Sequence, residues 1–171
     1  NTIVSVGRIE NQKNYELIIR SIKGTNYELD IYGEGSLKNE LKKLSQELNV
    51  TVNFLGIVNN ETLVEKLQNY KFYISSSVYE GNPKSVLEAM SAGCIVIASK
   101  IKNHLEFLNN NNSILFDNNI TSLNEAIMHL DKISQTRNDD LVNNSLETIN
   151  NKYNLNDLVK KEIKDINNLV M

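Results

Sequence analysis

The segment VYEGNPKSVLEAM, residues 78–90, carries two glutamates, Glu80 and Glu88, on either side of Pro83, the only proline in the chain. Pro83 suits the first position of a helix and Asn82 its N-cap, which leaves Glu80 and Gly81 in the preceding loop and puts Glu88 in the second helical turn. There Glu88 sits among Val86, Leu87, Ala89 and Met90. A half-buried carboxylate is costly unless it accepts hydrogen bonds, and the hydroxyls of a sugar or ribose would donate them. The alternative is a surface pair of Lys84 with Glu88 at i, i+4, worth about 0.2–0.5 kcal/mol. Pattern alone leaves both open. The unpaired backbone N–H groups of the first turn, near Lys84, Ser85 and Val86, are expected to point into the crevice and hold an anion.

A second group follows the first apolar run, in VGRIENQKN. Gly7 lets the backbone turn, Arg8 follows at once, and Lys13 falls where the next helix begins. A cation at a helix N-terminus opposes the macrodipole unless an anion joins it. Arg8 and Lys13 could clamp a diphosphate, Arg8 through its planar fork and Lys13 as a point charge. They could equally be solvated charges pairing with Glu10 or Glu16. In YGEGS, Gly33 and Gly35 form a Gly-x-Gly turn with Ser36 as a candidate N-cap. The third glycine of a dinucleotide fingerprint is missing, so a tight turn and a ligand-contacting loop both fit. FLGIV places Ile57 and Val58 after Gly56, where a ligand could approach the backbone closely.

The elements that must position these residues are legible from periodicity. Runs 2–7, 27–33, 50–56, 71–77 and 94–99 are short and β-branched, with a sixth at 113–116, and read as strands. Residues 13–23, 36–48, 60–69, 83–92 and 102–109 carry apolar positions at helical spacing, as do 121–133, 139–151 and 155–169. Alternating strand and helix predicts a Rossmann-like α/β fold, a parallel sheet of about six strands with helices on both faces. Ligands of such sheets bind at the carboxyl ends of the strands, where all the residues above fall.

Composition narrows the function classes. The chain of 171 residues is 40% hydrophobic and 23% charged, as in an ordinary globular domain. A net charge of −3 gives no electrostatic footprint for nucleic acid. One cysteine, Cys94, and two distant histidines offer no metal-ligand cluster, and Cys94 reads as a small buried hydrophobe. Lack of a long apolar run or a leader pattern leads to the expectation of a cytoplasmic protein. Entry into a strand within two residues suggests a segment of something longer. We treat residues 1–171 as one domain, with a core over about 2–133 and C-terminal helices over about 138–170.

YEGNPKSVLEAMSAG closely resembles the Glu, seven residues, Glu signature of retaining GT-B glycosyltransferases of family four. The likeness extends over SVGRIENQKN, IYGEGSLKNEL, VNFLGIV and CIVIAS, in the family's order and spacing, and so covers roughly residues 2–131. The resemblance implies the C-terminal, donor-binding half of a two-domain enzyme. Arg8 and Lys13 would bind the diphosphate of a UDP- or GDP-sugar, Glu80 the hydroxyls of the transferred hexose and Glu88 the ribose. Gly7, Gly33 and the backbone from Gly81 and Asn82 through Pro83 and Lys84 to Ser85 would line the donor site, and Ile57 and Val58 would border the base. No cofactor and no metal are expected.

The family's acceptor domain would supply a glycan or lipid-linked acceptor site. The longer enzyme is then expected to serve capsule, lipopolysaccharide or other surface polysaccharide synthesis, with peripheral association at the inner face of the membrane. The chain alone is expected to bind donor weakly and not to turn over, with the stripe on 155–169 exposed or used in self-association. Several residues depart from the family pattern. Asn14 stands where Gly usually follows the lysine, Glu106 keeps the glutamate of G-G-x-x-E in SKIKNHLEFL without its glycines, and NNNNS at 109–113 replaces an Asn-Gly loop. An asparagine in that loop is expected to take the left-handed conformation. A nucleotide-sugar 2-epimerase half, a receiver-like regulatory module and a non-catalytic binding copy are the rival readings. The first matches the signature less well, and the second needs an acidic cluster where this chain has GRIENQK.

Overall fold

Successive residues of a strand point to opposite faces, and here both faces are apolar, which is the pattern of a sheet buried on both sides. In the computed structural model, which describes residues 1–152, Ile3 enters one hydrophobic cluster and its neighbour Val4 the other. The strands are β1 (Thr2–Val6), β2 (Glu28–Tyr32), β3 (Val52–Gly56), β4 (Phe72–Ser75), β5 (Ile95–Ser99) and β6 (Ile114–Phe116). All pairings are parallel, in the order β3-β2-β1-β4-β5-β6. Helices α1 (Tyr15–Ser21), α2 (Lys38–Leu48) and α6 (Ile120–Met128) cover the Ile3 face through Ile18, Leu41 and Leu123. On the Val4 face lie α3 (Asn60–Leu67) and α4 (Lys84–Ser91), through Leu63 and Val86. The short α5 (Lys102–Leu105) follows β5, and α7 (Gln135–Lys152) gives Leu141 to the first cluster and Ile149 to the second.

The expected α/β fold is therefore present, and its order sets the site. From β1 the chain winds outward to β3, then crosses back to β4 and winds the other way. That reversal opens a crevice between the carboxyl ends of β1 and β4. A receiver-like module would instead order its strands 2-1-3-4-5, so this rival is excluded. No helix among the described residues is long and apolar enough to cross a membrane. Cys94 is fully buried against the Leu67 and Tyr70 carbonyls, and burial pushes its thiol up to about 12, making it inert as a nucleophile.

Element boundaries differ from the sequence reading where distant contacts intervene. The helix expected over 13–23 is a 3-10 turn, Asn11–Lys13, then a left-handed Asn14 (φ 50, ψ 45), then α1. Asparagine tolerates this left-handed backbone, as glycine does. The loop at 109–113, by contrast, contains no left-handed residue, because Asn109 and Asn112 bond across it through side chains and backbone. Ser36 is not the cap of α2. That helix begins at Lys38, and the Ser36 N–H and hydroxyl both donate to the Glu10 carboxylate, holding it below the usual carboxylate range. The expected helix at 155–169 lies outside the described residues.

Candidate functional site

A cavity of about 400 Å³ opens at the carboxyl ends of β1, β2 and β3 beside α4. Its wall includes Gly7, Arg8, Lys13, Gly33, Ile57, Val58, Asn82, Lys84, Ser85 and Glu88, ten of the residues singled out from sequence. Val6, Tyr32, Glu34, Asn60 and Leu63 complete it. Glu80, Gly81 and Pro83 are not part of this wall. Glu80 is linked to it through Lys13, a wall residue whose ammonium lies 2.6 Å from Glu80 Oε1.

Three strand-end loops are sewn together to make this wall. The Gly7 N–H donates to the Tyr32 carbonyl, Ile9 to that of Glu34, and Gly33 to that of Gly56. Gly33 has φ +156, and a Cβ there would fall 1.9 Å from the Gly7 carbonyl oxygen. Close backbone packing is therefore what the Gly-x-Gly turn serves, even though Gly33 also reaches the cavity. A Cβ on Gly7 would meet Lys13 Cε at 2.7 Å, so the missing side chain is the channel through which Lys13 crosses to Glu80.

Residues 75–77, three consecutive serines at the end of β4, anchor the other side. The Ser76 hydroxyl lies 2.8 Å from the Lys13 carbonyl and 2.9 Å from that of Asn14, and the Val78 N–H donates to the Gln12 carbonyl. Gln12 Nε2 returns a bond to the Tyr79 carbonyl. Ser77 Oγ donates to Glu80 Oε1 at 2.6 Å, the same oxygen that meets Lys13. Glu80 Oε2 has no partner among the described residues. The sequence reading did not single out this serine triplet. Its signal was present, three hydroxyls closing an otherwise apolar buried strand.

The cations behave differently from one another. Lys13 pairs with Glu80 rather than with Glu10 or Glu16, whose carboxylates go to Ser36 and Arg20. Arg8 is exposed on the cavity wall, with no carboxylate within ion-pair reach among the described residues. Glu88 does pair with Lys84, as the surface-pair reading expects. Its side chain is 15% exposed, 3.7 Å from Lys84 Nζ, and takes a 3.0 Å hydrogen bond from Asn60 Nδ2 while lining the cavity.

The start of α4 needs correction. Pro83, not Asn82, occupies the N-cap position, with φ −79 and ψ 52. That is close to an inverse γ-turn, and the Lys84 N–H accordingly donates to the Asn82 carbonyl at 2.9 Å. The Val86 N–H goes to Pro83. Of the three amides expected to be free, only that of Ser85 has no backbone partner among the described residues, and its side chain is steadied by the Tyr73 hydroxyl.

Comparison with known proteins agrees with this architecture. An N-acetylgalactosamine-N,N'-diacetylbacillosaminyl-diphospho-undecaprenol 4-alpha-N-acetylgalactosaminyltransferase of Campylobacter jejuni is 36% identical over 104 residues, covering 58% of this chain and 28% of the relative. A poly(ribitol-phosphate) alpha-N-acetylglucosaminyltransferase of Staphylococcus aureus is 30% identical over 153 residues, 85% of this chain and 30% of its own. The chain thus spans less than a third of either relative. A mutant of S. aureus TarM solved with fondaparinux, alpha-GlcNAc-glycerol and UDP superposes with a TM-score of 0.85 at 27% identity, over 95% of this chain and 34% of that one. The catalytic domain of a Helicobacter pylori cholesterol-alpha-glucosyltransferase gives 0.78 at 26% identity, over 87% of this chain and 97% of that one. Residues 1–147 match the family described as Glycosyl transferases group 1. With its GT-B-like sheet and its cavity at the strand reversal, this chain belongs to that glycosyltransferase family.

Proposed function

We propose that this chain is the donor-binding part of a retaining glycosyltransferase that moves a hexose from a UDP-sugar to a glycan or lipid-linked acceptor. The observation that carries the reading is convergence. Two cations, Arg8 and Lys13, line one cavity together with the first residues of α4 and the Glu88–Asn60 pair. Arg8, Lys13 and the Ser85 amide oppose the negative charge that develops on a departing diphosphate, with no metal required. Glu88, fixed by Asn60 and Lys84, accepts from ribose hydroxyls, and Glu80 offers Oε2 to hydroxyls of the sugar. Ile57 and Val58 border the base. UDP in the S. aureus structure, and the N-acetylhexosamines in the names of the C. jejuni and S. aureus relatives, support a UDP-N-acetylhexosamine donor. An acceptor domain elsewhere in a longer protein would provide the second substrate, and the product would enter a surface glycan.

Calorimetric titration with UDP-, GDP- and ADP-sugars tests the reading. UDP-sugars are expected to bind, and Arg8→Ala and Glu88→Ala each to weaken binding about tenfold, or about 1.4 kcal/mol. If no nucleotide sugar binds, or both variants bind like the parent, the assignment fails.

A further inference from the structure

One buried side chain near the site is not used by the reading above. His104, in α5, is 0% exposed, and its Nδ1 lies 2.8 Å from the Ser99 carbonyl oxygen. A carbonyl only accepts, so Nδ1 carries the proton and Nε2 is an acceptor. Among the described residues, Nε2 is buried with no hydrogen-bond partner. An apolar side chain would fill this space without stranding a polar atom, so filling space is not what the imidazole is suited to. Both of its ring contacts, to the Ser99 carbonyl and at 3.5 Å to the Ser99 hydroxyl, lead toward the site. The Ser99 hydroxyl donates to the Ser77 carbonyl at 2.7 Å, and the Ser77 hydroxyl donates to Glu80 Oε1 at 2.6 Å. His104, Ser99 and Ser77 are all fully buried, and the series ends on a carboxylate whose first oxygen is locked by Ser77 and Lys13 and whose second is unengaged.

We propose that His104 is a positioning residue that, by pinning the end of β5 and through Ser99 and Ser77, aims Glu80 Oε2 at the sugar of the bound donor. The inference rests on the donor-site reading of Glu80. It assigns His104 no contact with substrate. Removing its N–H should therefore leave recognition of the nucleotide intact and blunt recognition of the sugar.

The experiment compares the affinities of UDP-N-acetylglucosamine and UDP in the wild-type chain and in His104→Leu, His104→Asn, Ser99→Ala and Glu80→Gln. In His104→Leu the ratio of sugar-nucleotide to nucleotide affinity should fall at least fivefold, with UDP affinity within twofold of wild type and no loss of thermal stability. Asn places an amide N–H near the position of Nδ1, so His104→Asn should bring the ratio back to within twofold. Ser99→Ala removes a single hydroxyl and should lower the ratio like His104→Leu, which decides the matter if the leucine variant does not fold. Should Glu80→Gln lower the ratio while His104→Leu and Ser99→Ala leave it unchanged, the positioning role is refuted and the donor-site reading stands. Failure of the wild-type chain to bind either ligand, or an unchanged ratio in Glu80→Gln, overturns the donor-site reading and this inference with it.

Discussion

Two hollows of similar size open at opposite ends of the sheet. The one at the amino ends of the strands, about 480 Å³, is bounded by Thr2, Tyr27, Lys71, Phe72 and Asp131. The one at the carboxyl ends is about 400 Å³. Size would favour the first. Several of its polar groups, however, are already matched within the protein. The Tyr27 hydroxyl donates to Asp131 at 2.6 Å, and Lys71 lies over the Phe72 ring, 5.1 Å from its centroid. At the carboxyl ends, the Arg8 guanidinium, Glu80 Oε2 and the Ser85 amide remain unmatched among the described residues, although the loops around them are held by direct hydrogen bonds. Unspent capacity on a guanidinium, a carboxylate oxygen and a helix-start amide, rather than volume, distinguishes the second hollow from the first.

The comparison breaks first at its frame. Gly33→Val drives a side chain into the Gly7 carbonyl and should cost more than about 4 kcal/mol, removing cooperative unfolding in a urea titration. Retention of a normal transition would mean that the loops are not packed as described. A milder substitution sharpens the contrast in binding. Lys13→Ala should weaken UDP binding by about tenfold or more by calorimetry, whereas Lys71→Ala, at the other end, should leave it within twofold. Equal effects would erase the distinction between the hollows.

The smallest expected effect is on pH dependence. Burial holds the His104 imidazole below its ordinary 6.5, against the opposing hydrogen bond to the Ser99 carbonyl and the Glu80 charge, with Lys13 adding to the lowering. The folded chain therefore keeps His104 neutral while the unfolded chain takes up the proton first. Stability from this source is full above about 6.5 and falls as pH drops below it. The urea midpoint should decline between pH 7.5 and 5.5, and His104→Leu should decline less. An identical decline in both would show that His104 titrates alike in the folded and unfolded states.

Much of this was legible in the sequence because the relevant signals are local. β-branched runs such as CIVIAS announce strands, and residues that follow a strand fall at the carboxyl edge, so Arg8, Lys13 and Glu88 could be placed before any coordinates. What escaped depends on pairs far apart in the chain. Ser36 looked like a helix cap until Glu10, 26 residues earlier, claimed both of its donors. Ser76 fixes the Lys13 loop across 63 residues, and no window short enough to show periodicity contains both. His104 is legible only through its bond to Ser99 and the hydroxyls beyond it. Asn14 shows the converse, since its tolerance for left-handed backbone is a property of the residue type alone and permits the turn before α1.

The space beside Gly7 that Lys13 occupies makes these two positions a single structural unit. A methyl group at position 7 would displace the ammonium from Glu80, so Gly7→Ala should look like a partial loss of Lys13, and the two changes combined should be far less than additive. Exchange of either residue by itself would loosen the Lys13–Glu80 pair. The pair would be expected to persist or to vanish together.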